Sequence, residues 1–241
     1  MEYPFPFPLF PFEIAERRKQ ILDELLKTDA GFASAPVRSI RQESLGLLRT
    51  RVDRLFLNGF LGIRYPAMRV TVSNRMTSAA GKFIHSKKPP KGPDPVAEIR
   101  MSGDFLFRLP PGAYRLNGLS VSSPQEAFLV VFEHEAVHAV ENALYGSTGH
   151  SKRCLHLAGG LFGHTSVHHE LPTRAQESAA SGIRPGAAVS FAFQGKTLTG
   201  TVRRVGKTAT VMVPDPRGLY ADTRGRRFSK FRVSPGFLKP L

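Results

Sequence analysis

Residues 134–138 read H-E-A-V-H, which places two imidazoles four residues apart and a carboxylate directly after the first. The surrounding stretch, 125–144, has no Pro or Gly, and its apolar residues recur at helical spacing. Because residues i and i+4 share one face of a helix, His134 and His138 could bind one Zn²⁺ ion. Glu135 could then accept a proton from a zinc-bound water, which is the general-base arrangement of zinc hydrolases.

A zinc site of this kind needs a third protein ligand, and the sequence offers several. His150 follows His138 by twelve residues, beyond a turn at Gly146 and Gly149, so a chain reversal there would return it to the metal. Cys154 lies one turn further on and could also face the metal, although a small buried apolar role is preferred. The competing ligands are His156, His164, His168, His169 and Glu170.

Two other metal-site patterns are excluded by spacing. A di-iron carboxylate site would use Glu135-x-x-His138 as one half and needs a second E-x-x-H, which the chain lacks. The metzincin pattern fails because Glu141 occupies its glycine position and Leu144 its final histidine position.

Periodicity predicts the elements that would position the motif. We expect helices at 13–28, 42–58, 102–109, 124–145 and about 150–158. Strands are expected at 68–72 and 96–101. Gly59 and Gly62 should end the second helix. His85 falls in a basic, Pro-rich loop, 85–93, which we expect to be solvated.

Composition indicates a globular chain with a polyanionic partner. The 241 residues are 41% hydrophobic and carry a net charge of +15, which favours nucleic acid over a membrane. The single cysteine excludes an internal disulfide and suits a reducing compartment. The N-terminus alternates Pro with aromatic residues and lacks the features of a signal peptide, so we expect an extended arm that packs on the domain.

The C-terminal segment 184–241 contains twelve Lys or Arg against two Asp, a net charge of +10. Four short strands are expected there, at 187–193, 198–205, 208–213 and 228–233, a spacing typical of a small barrel of SH3 or KOW type. Phe191 and Phe193 share a face and are predicted to be core, whereas Tyr220 is placed in a long loop with 224–227. The residues predicted to contact nucleic acid are Arg203, Arg204, Lys207, Arg224, Arg226 and Arg227.

The order of these segments resembles the SprT-like, Spartan-related zinc metallopeptidases over about residues 40–165. Residues 73–82 are similar to the family's basic, Gly-ending segment, and 98–102 to its following strand, which runs into a short helix. The segment 149–154 resembles the family's third-ligand segment, usually H-G-x-x-F. Departures from the pattern are Ala136 for Leu, Ser151 for Gly and Cys154 for an aromatic residue.

The resemblance implies an α+β, zincin-like domain with a small antiparallel sheet, in which His134, His138 and His150 hold Zn²⁺ and Glu135 is the general base. It further implies an endopeptidase acting on DNA-associated or DNA-crosslinked proteins, in the cytoplasm, and on the nucleoid in a bacterium. Tyr145 and His164 are the candidate oxyanion donors.

Four segments follow from these expectations: an arm and N-terminal helix at 1–39, a metallopeptidase domain at 40–165, a linker at 166–183 and a basic barrel at 184–241. Two alternatives stay open. The chain could be a non-catalytic nucleic-acid-binding protein with a structural zinc site, or a peptidase whose basic surface recruits acidic substrates.

Overall fold

The structure is a computed structural model that describes residues 2–86, 97–167, 171 and 174–241. It is a mixed α+β structure whose chain divides into two compact units, Met1–Leu171 and Pro172–Leu241. The boundary falls inside the expected linker, and the N-terminal arm belongs to the first unit. In the described ranges, no helix is long and apolar enough to cross a membrane.

The described part of the first unit contains helices and two small sheets. Its helices are α1 Pro11–Thr28, α2 Ala30–Ala33, α3 Gln42–Leu57, α4 Phe60–Arg64, α5 Gly103–Leu106, α6 Pro124–Tyr145 and α7 Lys152–Phe162. Its strands are β1 Arg69–Ser73, β2 Gly81–His85, β3 Ala97–Ser102, β4 Tyr114–Leu116 and β5 Leu119–Val121. The predicted helices are confirmed, but Gly59 precedes a new helix and Gly62 lies within it.

The three-stranded sheet has the order β1-β3-β2. β1 runs parallel to β3, with Val70 opposite Ile99, whereas β2 runs antiparallel to β3, with Phe83 opposite Ile99. The three-stranded sheet is therefore mixed, and the expected antiparallel arrangement is wrong for its β1-β3 pair. The two-stranded sheet β4-β5 is antiparallel. His85 ends β2 instead of lying in a loop, and its ring stacks 6.3 Å from that of Phe83.

The N-terminal arm packs on the first unit, as predicted. Phe5 and Leu9 are buried, and the Leu9 N–H donates to the carbonyl of Gly160 at 2.8 Å. Glycine is required at that position, because a Cβ on Gly160 would lie 2.2 Å from the ring of Phe7. The arm is thus anchored to α7 by backbone and side-chain contacts.

The second unit is built around a six-stranded sheet with antiparallel neighbours, in the order β11-β6-β7-β8-β10-β9. Its elements are α8 Arg174–Ala180, β6 Ala188–Phe193, β7 Lys196–Arg204, β8 Ala209–Pro214, β9 Tyr220–Ala221, β10 Arg227–Val233, a 3-10 helix Pro235–Phe237 and β11 Lys239–Pro240. The four predicted strands are confirmed. The helix α8 corrects part of the expected linker, because an Ala-rich stretch without Pro or Gly favours a helix.

A buried ion-pair network joins α1 to α6 and to the end of α7. Arg18 Nη2 lies 2.6 Å from Oε2 of Glu133 and donates to the carbonyl of Phe162 at 2.7 Å, while His164 Nε2 lies 3.1 Å from the same Oε2. Burial alone would raise the pKa of Glu133, but the charge and hydrogen bonds of Arg18 outweigh it and lower that pKa. The network therefore stabilises an ionised carboxylate in the core.

Replacing Arg18 with Met should lower the free energy of unfolding of the first unit by about 3–5 kcal/mol, because it leaves Glu133 buried without its cation. Chemical denaturation followed by far-UV circular dichroism measures this loss, since the long helices lie in that unit. Lys19→Met is the control, because Lys19 is the neighbour of Arg18 on α1 and pairs with Asp23 at the surface. This substitution should change the free energy of unfolding little. Equal losses for both variants would contradict the assigned importance of the network.

Candidate metal centre

Helix α6 positions the two motif histidines and is enclosed by the first unit. The side chain of Ser123 caps its start by accepting a hydrogen bond from the Glu126 N–H at 3.1 Å. Gly146, in the left-handed conformation with φ of +67°, caps its end. A helix that is apolar on nearly all sides belongs in a core, and His134 and His138 are each only 8% exposed.

The ε nitrogens of three histidines converge. His134 Nε2 lies 3.2 Å from Nε2 of His138 and 3.1 Å from Nε2 of His150. Zn–N bonds of about 2.0–2.1 Å in a tetrahedral site put ligand nitrogens about 3.3–3.4 Å apart, so the spacing fits a metal ion. Burial, aided by the charge of His150, lowers the pKa of His138 to about 4 and keeps it in the neutral form that binds metals. The three histidines could therefore hold a metal ion.

Two of the histidines that could have been the third ligand, His156 and His164, lie elsewhere in the structure. The ring of His156 packs against Phe7 of the arm, with centroids 5.1 Å apart. His164 belongs to the buried network around Glu133, so it is neither a third ligand nor an oxyanion donor. Three further candidates, His168, His169 and Glu170, lie outside the described residues.

Cys154 lies behind the metal-binding face of His138. Its Sγ is 4.0 Å from Nδ1 of His138, the ring nitrogen that points away from the triad. Burial, together with the nearby carboxylates of Glu141 and Glu135, raises the pKa of the thiol to about 12. Because metals bind the thiolate, a neutral thiol is a poor ligand, and the preferred sequence interpretation of Cys154 as a small buried residue agrees with the structure.

Glu135 lies in the same cleft and is held by β2. Its Oε2 accepts a hydrogen bond from the Phe83 N–H at 2.7 Å. Burial raises the pKa of Glu135 to about 7, although that hydrogen bond opposes the rise. A carboxylate that titrates near neutrality is suited to both accepting and returning a proton. Gly81 makes room for it, because a Cβ there would lie 2.7 Å from both Cγ and Oε1 of Glu135.

The cleft over the triad has a volume of about 460 Å³ and lies between β2 and α6. Residues 81–83 line it from the strand, and 148–150 line it from the loop that carries the third histidine. No described residue of the arm lines it, so the arm is not its cover. Tyr145 also lies elsewhere, with its hydroxyl 3.5 Å from that of Tyr3, which removes it as an oxyanion donor.

Glu141 is a site residue that the sequence interpretation missed. Its Oε2 accepts a hydrogen bond from the Gly149 N–H at 3.1 Å, and its Oε1 accepts one from the Ser151 hydroxyl at 3.2 Å. These two donors flank His150, and Oε2 also lies 4.0 Å from Nδ1 of His138. Glu141 therefore positions His150 against His138. The only signal in the sequence was a carboxylate three residues after His138, on the same helix face.

The six predicted nucleic-acid-binding residues are exposed and form two clusters. Arg203, Arg204 and Lys207 lie at the β7–β8 connection, and residues 224–227 lie at or beside the β9–β10 connection. Since β8 pairs antiparallel with β10 along its whole length, the clusters flank opposite ends of β8, about 17 Å apart at about 3.3 Å per residue.

Two expectations for the second unit need correction. Tyr220 is paired in β9 instead of lying in a long loop, because Asp222 closes a short turn by accepting the N–H groups of Arg224 and Arg226, each at 2.9 Å. The guanidinium of Arg226 also pairs with Asp222 at 2.7 Å, which makes it less available to a phosphate. Phe193 is 44% exposed although it was predicted to be core, because it lies at the end of β6 beside the turn.

No protein-family model matches the chain, and no curated protein matches it at a significant level. The resemblance to the SprT-like family therefore stays a hypothesis based on the quoted residues. The convergence of the three histidines stands independently of it, because it is a matter of distances in this structure.

Glu141→Gln should weaken Zn²⁺ binding about 10- to 100-fold, the usual effect of losing a carboxylate that orients metal ligands. The glutamine amide has one acceptor oxygen, whereas the Gly149 N–H and the Ser151 hydroxyl each use a separate oxygen of Glu141. Competition with a chromophoric chelator measures the affinity, and Glu16→Gln, an exposed carboxylate on α1, is the control. Unchanged affinity in a folded Glu141→Gln protein would show that His150 is positioned without it.

Proposed function

We propose that the chain is a zinc-dependent endopeptidase of the SprT-like type. One observation carries the proposal: the Glu135 carboxylate and the three converging imidazoles line the same cleft. Three imidazoles at nearly tetrahedral spacing are a ligand set of catalytic zinc sites. In fold terms, we propose that the first unit is zincin-like and that the sheet of the second closes as an SH3- or KOW-like barrel.

The residues of the cleft suggest how a peptide bond is cleaved. Zn²⁺ held by the triad would polarise the scissile carbonyl and acidify the attacking water. Glu135 accepts the proton of that water at Oε1, because Oε2 is already engaged by the Phe83 N–H. It then returns the proton to the departing amide nitrogen, which leaves the carboxylate ready for another cycle.

The strand β2 provides a place for the substrate backbone. Among the described strands it pairs only with β3, and its other edge lies toward α6, where the Phe83 N–H donates to Glu135. An extended peptide can add to such an edge through its other main-chain groups. A substrate in that position passes beside the triad in an orientation that does not depend on its sequence, which suits an endopeptidase.

The second unit supports DNA as the agent that brings substrates to the peptidase. Thr210 of β8 lies opposite Arg204 on one side and Arg232 on the other, so the two cations share one face of the sheet. On the same strand as Arg232, the ammonium of Lys230 lies 4.6 Å from the ring centroid of Tyr220. Residues of β10 therefore continue the positive charge between the two clusters at the ends of β8.

A face of this kind suits sequence-independent binding to phosphates, with Tyr220 available for base stacking. We therefore propose that the substrates are DNA-associated or DNA-crosslinked proteins, and that the protein acts wherever it meets DNA, in the cytoplasm and on the nucleoid if the source is bacterial.

Glu135→Gln should reduce cleavage of a DNA-binding protein at least 10²- to 10⁴-fold while Zn²⁺ still binds, because the amide cannot accept the proton. The assay measures cleavage of a basic DNA-binding protein by the zinc-loaded chain, with and without single-stranded DNA, and zinc content is measured beside it. Cleavage that persists in Glu135→Gln would exclude the proposed chemistry. Zinc binding with no cleavage by either protein would favour a nucleic-acid-binding protein with a structural metal site.

The double variant Arg204→Ala/Arg232→Ala should weaken binding to a single-stranded oligonucleotide and lower the slope of log affinity against log salt by about one to two. Fluorescence anisotropy over a salt series gives both quantities. Lys196→Ala/Lys239→Ala removes the same charge from the start of β7, beside the β6–β7 turn, and from β11, and it serves as the control. An equal loss in the two double variants would indicate a diffuse charge effect without a defined binding face.

A further inference from the structure

A second cavity of about 520 Å³ lies in the first unit beside the metal cleft. Its lining includes Ile63, Tyr65 and His85 together with Asn142 and Ala143 of α6. Ile63 is 79% exposed and adds a large aliphatic side chain to the lining of this cavity.

The two cavities share their walls. β2 contributes Phe83 to the metal cleft and His85 to the second cavity, and α6 contributes His138 to the first and Asn142 to the second. On the strand this is a step of two residues, and on the helix it is a step of about one turn. The second cavity is therefore a continuation of the groove between β2 and α6.

A continuous aromatic surface connects them. The ring of Tyr65 lies 6.0 Å from that of Phe83 and 5.5 Å from that of His85, and the rings of Phe83 and His85 are parallel within 8°. Tyr65 is only 8% exposed and forms the buried part of this surface. A chain leaving the metal cleft along β2 would thus pass over rings and not over open solvent.

Two polar groups of the second cavity, the Tyr65 hydroxyl and the Arg64 guanidinium, already have partners. The Tyr65 hydroxyl donates to Oδ1 of Asn142 at 2.7 Å, and the guanidinium of Arg64 donates to the carbonyl of Ala143 at 2.9 Å. The cavity also presents apolar surface to a ligand, from the rings, the Ile63 side chain and Ala143. That part of the lining favours apolar contact area.

We propose that this cavity is a specificity subsite that accepts a bulky apolar side chain, such as Leu, Met or Phe, of a polypeptide lying along β2. The inference rests on the proposed peptidase function. The substrate strand and β2 advance by the same length per residue. The side chain in the cavity therefore belongs to the substrate residue two positions from the one that contacts Phe83, about 6.6 Å further along. The cavity thereby assigns the enzyme a preference at a single substrate position, beside a cleft that reads only the backbone.

Cleavage of a peptide library by the zinc-loaded full chain, with the cut sites read by mass spectrometry, tests the preference. We expect enrichment of Leu, Met and Phe at one fixed distance from the cut. Ile63→Ser should lower kcat/KM for such peptides about tenfold, because part of the apolar contact is lost, and should leave peptides with Gly at that position unchanged. Leu155→Ser, an exposed leucine on α7 outside both cavities, is the matched control.

A binding measurement separates failure of the subsite from failure of the proposed function. Labelled peptides with Leu or Gly at the selected position are titrated into zinc-loaded Glu135→Gln, with and without Ile63→Ser. If the wild-type chain cleaves peptides without preference and Leu peptides bind no better than Gly peptides, the subsite is overturned and the peptidase stands. If nothing is cleaved but Leu peptides bind more tightly and lose that advantage in Ile63→Ser, the subsite stands and the peptidase fails. Absence of both cleavage and a binding difference overturns both.

Discussion

The enclosure of α6 by the first unit is the constraint on which the rest of the site depends. A helix packed on nearly all sides brings its polar residues into the core, and each of them must then find a partner or change its ionisation. The same enclosure restricts the rings of His134 and His138, which are each only 8% exposed. The groove along β2 is where the enclosure is interrupted and the helix is accessible.

The three buried carboxylates of α6 meet this constraint in three different ways. Glu133 has Arg18 and His164 as partners and remains ionised as part of the structure. Glu141 has the donors around His150 and acts on the geometry of the triad. Glu135 has the single N–H of Phe83, and its pKa is raised to about 7. The carboxylate with the fewest partners is the one that can exchange a proton, so chemistry and stability are divided among neighbouring residues of one helix.

The second unit follows a different principle. Its core consists of small and aliphatic side chains with Phe191. Two of its aspartates have partners within the unit: Asp215 accepts a hydrogen bond from the Ser229 hydroxyl, and Asp222 pairs with Arg226. The remaining positive charge lies on strand faces and turns that face solvent. In the proposed role, charge on a rigid sheet would cost less conformational entropy on binding a polyanion than the same charge on a flexible basic tail.

The sequence by itself determined the helix of α6, the pairing of His134 with His138, the place of Glu135 and the strand pattern of the second unit. These are local properties, because the 3.6 and 2.0 periods and the i to i+4 geometry depend only on neighbours along the chain. The sequence analysis did not predict β2, because five residues carry too little periodicity to separate a strand from a turn.

Only the tertiary structure decided the contacts between residues that are far apart in the sequence. It separated His150 from His156 and His164, gave Glu141 its donors, and placed Gly81 where Glu135 needs space. It also joined Tyr65, Phe83 and His85 into one surface. Each of these depends on distances across the fold, which a one-dimensional pattern does not contain, because a side chain's role is set by the groups it meets and not by its position in the sequence.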